Sequence, residues 1–430
     1  MKTVLLIGYH FLNDSEIGSK RLRGLYSNLP LFGWKPVVLT RALTDKPFFE
    51  TLSDVYPVPY QHPFLKLKKI MNIPDNKGII SEISERYIPI NSARKKHRFQ
   101  KLMIRSTEFL SFPDLSSHWT NAAIKQADKI IHNHHIDIIL SSYGPSACHS
   151  VGSYLSKSYS IPWVADYRDL WCDNPGYSYS PMRHCIESAY EKKMVTSADY
   201  ITSVSVPLVK NLEHRFKKNK IMCIPNGFDE TIIKRGKQSE NGFSFVYTGR
   251  ITPIFRDIEP LFRVLYRLLT EGLIEWDDIK IHFYGDNDNW LSELVHSYSL
   301  QNCTYLHGQV SYTESLLAQR NAQVLLLLTW NDPKQEGVIT GKLFEYLASG
   351  RPILAIGHYL DTEVKGLLNK TRTGDQVFSD EMLRVFIMKA YKEYKSSGVV
   401  AYTGINEEIM KYSHREMTRK FVGIFEEIKR

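Results

Sequence analysis

Short apolar runs alternate with helix-length segments along the first half of the chain. The runs span residues 3–7, 37–40, 136–141, 163–166 and 200–204. Most are apolar at successive positions, which is typical of strands covered on both faces, whereas a half-exposed strand would alternate. This pattern predicts a parallel sheet with helices on both sides. Residues 44–115 break the rhythm and are predicted to form an irregular insertion.

A second series of apolar runs follows a polar, turn-rich stretch. Its members span residues 243–247, 279–284, 304–306, 324–328 and 353–356. At 430 residues the chain is long enough for two cores, because single cores rarely grow beyond about 250–300 residues. We therefore predict an α/β fold of two doubly wound, Rossmann-like domains that face each other across a cleft.

The predicted boundaries follow the same pattern. The N-terminal domain spans 1–228, the linker spans 229–241, and the C-terminal domain spans 242–406. A helix over 407–430 either caps the second domain or returns to the first. Ligands of open α/β sheets bind beyond the carboxyl ends of the strands, so residues just after each strand are the candidates for chemistry.

Composition narrows the class of protein. Apolar residues make up 43% and charged residues 23% of the chain, which is ordinary globular usage. No apolar stretch approaches the roughly 20 residues of a membrane-spanning helix, and the first apolar run is short for a signal peptide. The five cysteines lie far apart without CxxC spacing, which favours reduced thiols. We expect a cytoplasmic protein.

The net charge of +9 is partly concentrated between Lys66 and Arg105. Apolar residues such as Phe99 and Leu102 recur among these cations at near-helical spacing. That pattern predicts a basic amphipathic helix able to lie on an anionic membrane surface. A solvated helix face explains the same residues equally well.

The clearest chemical signal lies at residues 337–356. A loop with Gly337 and Gly341 leads into a predicted helix over residues 342–348, which stops at Gly350. The N-terminus of such a helix offers free N–H groups and a positive dipole end, which suit a diphosphate. Glu345, one turn into the helix, could accept hydrogen bonds from ribose hydroxyls. Ordinary helix capping with an incidental surface glutamate is the alternative.

Two arginines, Arg250 and Arg256, follow the predicted strand that ends at Gly249. A departing nucleoside diphosphate gains negative charge, which fixed cations can stabilise without a metal ion. Arginine can also bind two oxygens at once. The alternative is a pair of ordinary surface arginines on a loop.

Charged residues also end a strand in the first half, at Asp166, Arg168 and Asp169. They could orient an acceptor hydroxyl or remove its proton, and Asp169 is the stronger candidate base, followed by Asp166. Salt bridges among these residues would be the structural explanation. His149 is a candidate sugar contact, although a buried structural histidine is equally consistent with its position.

Three further features have weaker signals. Gly18, followed by Lys20 and Arg21, predicts a close backbone approach to phosphate or sugar, or a simple loop. Trp330 could stack on a base or sugar, or pack in the core. The clustered histidines at 132, 134 and 135 lack a completing ligand set, so we expect no metal site there.

Several of these segments, taken in order, resemble a known family. They are the opening strand and glycine loop, SSYGPSACHS, WVADYRDLW, CIPNGFD, VYTGR, IHFYGD and GVITGKLFEYLASG. Their order and spacing are similar to those of retaining glycosyltransferases of family 4, which have the GT-B fold. The resemblance implies a nucleotide-sugar donor such as a UDP-sugar and a glycan or lipid-linked acceptor. It also implies a role in surface-polysaccharide synthesis, with no cofactor, metal ion or nucleic-acid partner.

The resemblance implies donor binding by Gly18, Gly249, Lys342 and Glu345, but the chain departs from the family at one point. That family usually has a second glutamate eight positions before the one matching Glu345, where this chain has Gly337. Either a shifted loop lets Glu336 reach the sugar, or backbone groups of Ile339, Thr340 and Gly341 replace it. The missing glutamate leaves open a non-catalytic glycosyltransferase-like scaffold. The architecture itself leaves open a second alternative, a nucleotide-sugar epimerase of the same fold.

Overall fold

The computed structural model describes residues 1–12, 17–43, 52–60, 112–114, 116–177, 179–232, 242–253, 255–286 and 289–429. The chain divides into two compact units. The first comprises Met1–Val204, Leu208–Ile224 and Phe421–Arg430, and the second comprises Ser205–Pro207 and Pro225–Lys420. Most of the predicted insertion at 44–115, including the basic stretch from Lys66 to Arg105, lies outside the described residues, as does most of the predicted linker.

The first unit is built on a seven-stranded sheet in the order β3-β2-β1-β4-β5-β6-β7, in which every neighbouring pair is parallel. The strands are β1 (Lys2–Ile7), β2 (Trp34–Arg41), β3 (Val55–Val58), β4 (Ile138–Ser142), β5 (Trp163–Tyr167), β6 (Tyr200–Ser203) and β7 (Lys220–Cys223). Strands β4, β5 and β6 are buried at every position. The continuous apolar pattern therefore reflects a sheet covered on both faces.

Helices connect these strands. They are α1 (Ile17–Asn28), α2 (Ser117–Asn133), α3 (Ala147–Tyr159), α4 (Pro181–Val195) and α5 (Val206–Arg215), the last of which begins in residues of the second unit. Pro181 starts α4 where its missing N–H costs nothing, and Ser180 caps this helix by accepting from the Arg183 N–H.

The second unit repeats this plan with a six-stranded parallel sheet in the order β10-β9-β8-β11-β12-β13. Its strands are β8 (Phe243–Thr248), β9 (Ile279–Tyr284), β10 (Thr304–Gly308), β11 (Val324–Leu328), β12 (Ile353–Ile356) and β13 (Gly374–Val377). Its helices are α6 (Glu259–Thr270), α7 (Asn289–Ser297), α8 (Tyr312–Asn321), α9 (Gly341–Ser349), α10 (Thr362–Thr371), α11 (Asp380–Ser397) and α12 (Asn406–Met410), and α13 (His414–Ile428) ends among residues of the first unit.

Two hydrophobic clusters cover the faces of this second sheet. One contains Phe245, Ile281 and Leu326, and the other contains Val246, Leu325 and Leu327. Successive residues of one strand thus enter opposite clusters, as strand geometry requires. The expected α/β fold of two doubly wound sheets is confirmed.

The differences from the sequence-based expectation concern short strands. Residues 55–58 lie within the predicted irregular insertion, yet they form β3 and pair in parallel with β2. Strands β7 and β13 were also missed, because Lys220–Cys223 and Gly374–Val377 are short and partly polar. Both strands lie at the edge of their sheets, where a strand has only one neighbouring strand and polar residues are tolerated.

Within the described part of the chain, no helix combines the length and apolar character needed to cross a membrane.

Candidate functional site

The start of α9 has the features expected of an anion-binding turn. Thr340 caps the helix by accepting from the Lys342 N–H at 3.3 Å, and Gly350 ends it with a left-handed φ of 71°. Thr340, Gly341 and Lys342 are only partly buried, while the rest of α9 is buried through Ser349. No described residue accepts a hydrogen bond from the Thr340 or Gly341 N–H, so both donors are available to a ligand.

Gly249 and Lys342, which are 93 positions apart in sequence, are brought into contact. A Cβ atom at Gly249 would lie 2.4 Å from Lys342 Cε and 2.8 Å from Lys342 Nζ, and the φ of Gly249 is +108°. Lys342 Nζ also lies 5.1 Å from the Tyr247 ring centroid. No described carboxylate pairs with this ammonium group. The glycine therefore leaves room for an unpaired cation at the carboxyl end of β8.

Glu345 lies about one turn into α9 and is 6% exposed. Its Oε2 accepts a hydrogen bond from Gln319 Nε2 at 3.2 Å, and the same amide donates to Thr248 Oγ1 at 3.1 Å. Thr248 also bonds the Tyr346 hydroxyl through its N–H at 3.1 Å. Sequence patterns alone did not reveal these partners of Glu345, because Gln319 lies on another helix. They fix the orientation of the carboxylate.

The two predicted arginines differ in their surroundings. Arg250 is exposed, whereas Arg256 is partly buried with its guanidinium carbon 4.3 Å from the Trp330 ring centroid. Trp330 Nε1 donates to the Val338 carbonyl at 2.7 Å, which ties Arg256 to the loop before α9. Trp330 thus packs against the arginine. Its stacking on a base or sugar stays a prediction.

Glu336 occupies a different place from the one its sequence position suggested. Its carboxylate accepts a hydrogen bond from the Thr362 hydroxyl at the start of α10. Gly337, the next residue, has a φ of +84°, and Ile339 packs partly buried against the apolar cluster around Leu343. The carboxylate is therefore engaged with α10, and the loop that follows presents backbone groups.

In the first unit, Asp166 is fully buried and paired with Arg21. Arg21 donates from Nε and Nη2 at 2.9 and 2.8 Å, and hydroxyls of Thr202 and Ser142 donate at 2.7 and 3.1 Å. Burial disfavours the charged carboxylate, but Arg21 and the hydroxyls outweigh it and hold the pKa of Asp166 below its usual range. With its acceptors occupied, Asp166 serves structure, which argues against the predicted role as a base.

Arg168 fills the space that the glycine loop was expected to offer to a ligand. Its Nε and Nη2 donate to the Tyr143 and Gly144 carbonyls at 2.8 and 3.0 Å. A Cβ atom at Gly18 would lie 1.9 Å from Arg168 Nη1, and one at Gly144 would lie 2.6 Å from Nη2. The close approach at Gly18 is thus to a guanidinium group of the chain itself. No described residue accepts from Nη1.

Asp169 differs from Asp166 although it lies three positions later. It is half-buried, and no described residue donates a hydrogen bond to its carboxylate. Burial raises the pKa of Asp169 above its usual value, and the charge of Arg168 opposes that rise. An unpaired carboxylate beside an arginine with a free N–H can both accept from and donate to a sugar hydroxyl.

His149 is completely buried, which excludes the predicted contact with a sugar in this conformation. Its Nδ1 lies 2.8 Å from Ser141 Oγ, which itself accepts from Trp163 Nε1 at 2.8 Å. The ring packs 4.8 Å from that of Tyr167. Burial lowers the pKa of His149 to about 3, and the charge of nearby Asp166 opposes that fall. The histidine is a neutral core residue.

The clustered histidines are directed at separate partners. His132 Nδ1 lies 2.6 Å from the Asp128 carbonyl, His134 Nε2 lies 2.7 Å from the Tyr56 hydroxyl, and His135 is exposed. Among the residues that the structure describes, no group of three or more His, Cys, Asp or Glu side chains is arranged to hold a metal ion.

Comparison with known proteins finds one family match and a shared fold. Residues 91–231 match the family model described as Glycosyltransferase Family 4. No curated protein matches the sequence.

Solved structures share the fold at low sequence identity. Sucrose-phosphate synthase from Thermosynechococcus elongatus aligns with a TM-score of 0.64 at 15% identity, covering 100% of this chain and 99% of that one. The lipopolysaccharide outer core galactosyltransferase WaaB in its apo form gives 0.56 at 13%, covering 99% and 100%. A TarM variant from S. aureus in complex with UDP, alpha-GlcNAc-glycerol and Fondaparinux gives 0.58 at 11%, covering 99% and 100%.

The match and the shared fold support a transferase. The expected resemblance to glycosyltransferase family 4 is thereby confirmed, together with the GT-B fold of two parallel α/β sheets.

Proposed function

We propose that this chain is a retaining glycosyltransferase that moves a hexose-type sugar from a UDP-linked donor to a glycan or lipid-linked acceptor during surface-polysaccharide synthesis. The observation that carries the proposal is the turn into α9. There the N–H groups of Thr340 and Gly341 have no acceptor, and the Lys342 ammonium has no carboxylate partner, among the residues that the structure describes. Free amides and a cation at a helix N-terminus suit a diphosphate.

In this proposal the diphosphate lies against the turn, and its charge is balanced by Lys342, Arg250 and Arg256. As the sugar–phosphate bond breaks, negative charge grows on the leaving oxygens, and preorganised cations stabilise it. We propose that these side chains make a metal ion unnecessary for the departure of the nucleoside diphosphate. The indole of Trp330, 4.3 Å from the Arg256 guanidinium carbon, would hold that arginine in place.

We assign the ribose contact to Glu345. Gln319 holds one carboxylate oxygen at 3.2 Å and so fixes the plane of the group before the donor arrives. A carboxylate can accept from both hydroxyls of a ribose. The solved TarM structure, a complex with UDP, alpha-GlcNAc-glycerol and Fondaparinux, supports the choice of UDP as the probe.

The acceptor hydroxyl is assigned to Asp169 and Arg168 of the first unit. Asp169 has a raised pKa and no hydrogen-bond donor among the described residues, so its carboxylate is free to accept a hydroxyl proton. Arg168 Nη1, from which no described residue accepts, can donate to the same oxygen. Asp166 would keep this region rigid through its pairing with Arg21.

We also propose that the stretch from Lys66 to Arg105 contacts an anionic membrane surface. The protein would then bind peripherally at the inner face of the plasma membrane. Only the sequence supports this part, since that stretch lies outside the described residues. Binding to anionic liposomes that weakens with salt would support it. Equal partitioning to neutral and anionic liposomes would contradict it.

Replacing Glu345 with alanine tests the donor site. We expect UDP affinity to fall by about tenfold or more, as for loss of a hydrogen bond to a charged group. Titration calorimetry with UDP measures the change. Glu314→Ala is the matched control, because Glu314 closes a capping box on the neighbouring α8 and should affect only stability. Unchanged UDP affinity in E345A would reject the assignment.

Activity is tested separately from binding. Release of UDP from a panel of UDP-sugars only when lipid-linked oligosaccharide is added would support transfer. An isomerised sugar nucleotide without acceptor would indicate an epimerase instead. Tight UDP binding without turnover of any kind would indicate a non-catalytic scaffold.

A further inference from the structure

The loop between β5 and α4 carries both residues assigned to the acceptor. It runs over residues 168–180, and its described part contains turns and bends but no helix or strand. Loops this long are usually functional, and their reacting groups must be held in place, because a misplacement of about 1 Å can cost about a hundredfold in rate. The residues that fix this loop therefore matter for catalysis.

One buried carboxylate, that of Glu187 on α4, anchors the loop through two hydrogen bonds. Its Oε1 accepts from Trp171 Nε1 at 2.6 Å, and its Oε2 accepts from the Tyr177 hydroxyl at 2.8 Å. Glu187 is only 2% exposed, so it cannot itself meet a substrate in this conformation. Its contacts are made entirely with the chain.

A fully buried arginine balances the charge of this carboxylate. Arg183, one turn earlier on α4, donates from Nε to Glu187 Oε2 at 3.1 Å and from Nη2 to the Pro113 carbonyl at 2.7 Å. Its guanidinium carbon also lies 3.5 Å from the Tyr179 ring centroid. A buried carboxylate is tolerated only when it is paired and hydrogen-bonded in this way. The pair is thus a fixed anchor on a rigid helix.

The anchor reaches the acceptor residues through aromatic stacking. Trp171, two positions after Asp169, stacks on Tyr143 with centroids 5.6 Å apart and an angle of 24° between the rings. The Tyr143 carbonyl in turn accepts from Arg168 Nε at 2.8 Å. The path from Glu187 through Trp171 and Tyr143 therefore ends at the guanidinium group beside Asp169.

We propose that Glu187 is a positioning residue, which sets the placement of Asp169 and Arg168 by fastening Trp171 and Tyr177. This inference rests on the proposed function, because it assumes that Asp169 faces the acceptor. It assigns to Glu187 no contact with donor or acceptor, so its effect should be confined to the acceptor side of the reaction.

The test compares Glu187→Gln with Glu426→Gln. Glutamine keeps the shape of Glu187 but removes its charge, and its amide NH2 replaces the acceptor either of Trp171 Nε1 or of Tyr177 and Arg183. Glu426 is the control for the hydrogen bond to an indole, because it also accepts from a buried one, Trp34 Nε1, at 3.1 Å and lies in the first unit; its own side chain is 41% exposed. Transfer from a UDP-sugar to lipid-linked oligosaccharide and affinity for UDP are measured for both variants.

We expect E187Q to lower kcat/KM for the acceptor by about tenfold to a hundredfold, with UDP affinity unchanged. E426Q should leave both quantities near those of the parent. If E187Q transfers sugar as E426Q does, the inference is overturned while the proposed function stands. If the parent transfers no sugar from any UDP-sugar, the proposed function fails and this inference fails with it.

A double-variant cycle separates positioning from general damage. In an Asp169→Asn background, the loss caused by E187Q should largely disappear, since the group being positioned is already disabled. An equal fold-loss in both backgrounds would show that Glu187 acts independently of Asp169 and would overturn the proposal. Equal losses of UDP affinity and transfer in E187Q would likewise overturn it, as the sign of global destabilisation.

Discussion

The two sheets share one strand order about their first strand, yet the cations at their carboxyl ends are used in opposite ways. In the first unit, Arg21 is paired with Asp166 inside the protein. In the second unit, Lys342 stands beside Gly249 with no carboxylate partner among the described residues. Two sheets of the same topology thus differ in that one has a buried ion pair and the other has a cation without a carboxylate partner among the described residues.

The difference between a paired and an unpaired cation indicates where an anionic ligand can bind. A charge removed from water needs a partner inside the protein, so Arg21 and Asp166 are explained by each other. A partly buried cation without a partner keeps its capacity for an anion from solution. The same difference holds for two carboxylates three positions apart. Asp166 is paired with Arg21, whereas Asp169 has no hydrogen-bond donor among the described residues.

The largest expected effect comes from unpairing the buried charge. Replacing Arg21 with methionine leaves Asp166 buried without its cation, and we expect a loss of about 3–5 kcal/mol in the free energy of unfolding. Lys342→Met also removes one charge, but it should cost less than about 0.5 kcal/mol. Urea unfolding followed by tryptophan fluorescence measures both.

R21M should have the larger effect on stability, whereas Lys342→Met should have the larger effect on UDP binding. Lys342→Met should weaken UDP binding by about tenfold or more, since it removes a charge-assisted contact. A double variant, R21M with Asp166→Asn, should regain part of the lost stability. If R21M were as stable as the parent, Arg21 would not be the partner that stabilises buried Asp166.

A smaller effect is expected from the buried histidine. His149 has a pKa of about 3 in the folded protein against about 6.5 unfolded, so the unfolded chain binds more protons between these values. Stability should therefore fall as pH drops below about 6.5, by about 2 kcal/mol between pH 7 and pH 5. Unfolding free energies at the two pH values measure this loss.

Replacing His149 with glutamine should remove most of that pH dependence. His135, which is exposed, provides the control, and His135→Gln should retain the full acid sensitivity. If H149Q and the parent lost equal stability on acidification, His149 would not be the neutral core residue that the structure describes.

The smallest effect should come from Glu336. Its carboxylate is engaged with the Thr362 hydroxyl, so Glu336→Gln should change UDP affinity less than about twofold and stability by less than about 0.5 kcal/mol. Calorimetry with UDP and with UDP-sugars checks this. A tenfold loss confined to the UDP-sugar would show that Glu336 reaches the sugar after all.

The fold and the turn into α9 could both be predicted from the sequence. Continuous apolar runs located most strands, because strands buried on both faces need apolar residues at every position. The predicted helix at 342–348 lies within the observed Gly341–Ser349, since Thr340 and Gly350 are local start and stop signals. Short polar strands such as β13 carry no such signal and were missed.

The tertiary structure alone decided which charges are paired. Arg21 and Asp166 are 145 positions apart, and Glu345 and Gln319 lie on different helices. Nothing in a local pattern distinguishes the occupied Asp166 from the open Asp169, or shows that Arg168 fills the space above Gly18. Pairing depends on which segments the fold brings within a few ångströms, and burial then decides whether a charge can remain alone.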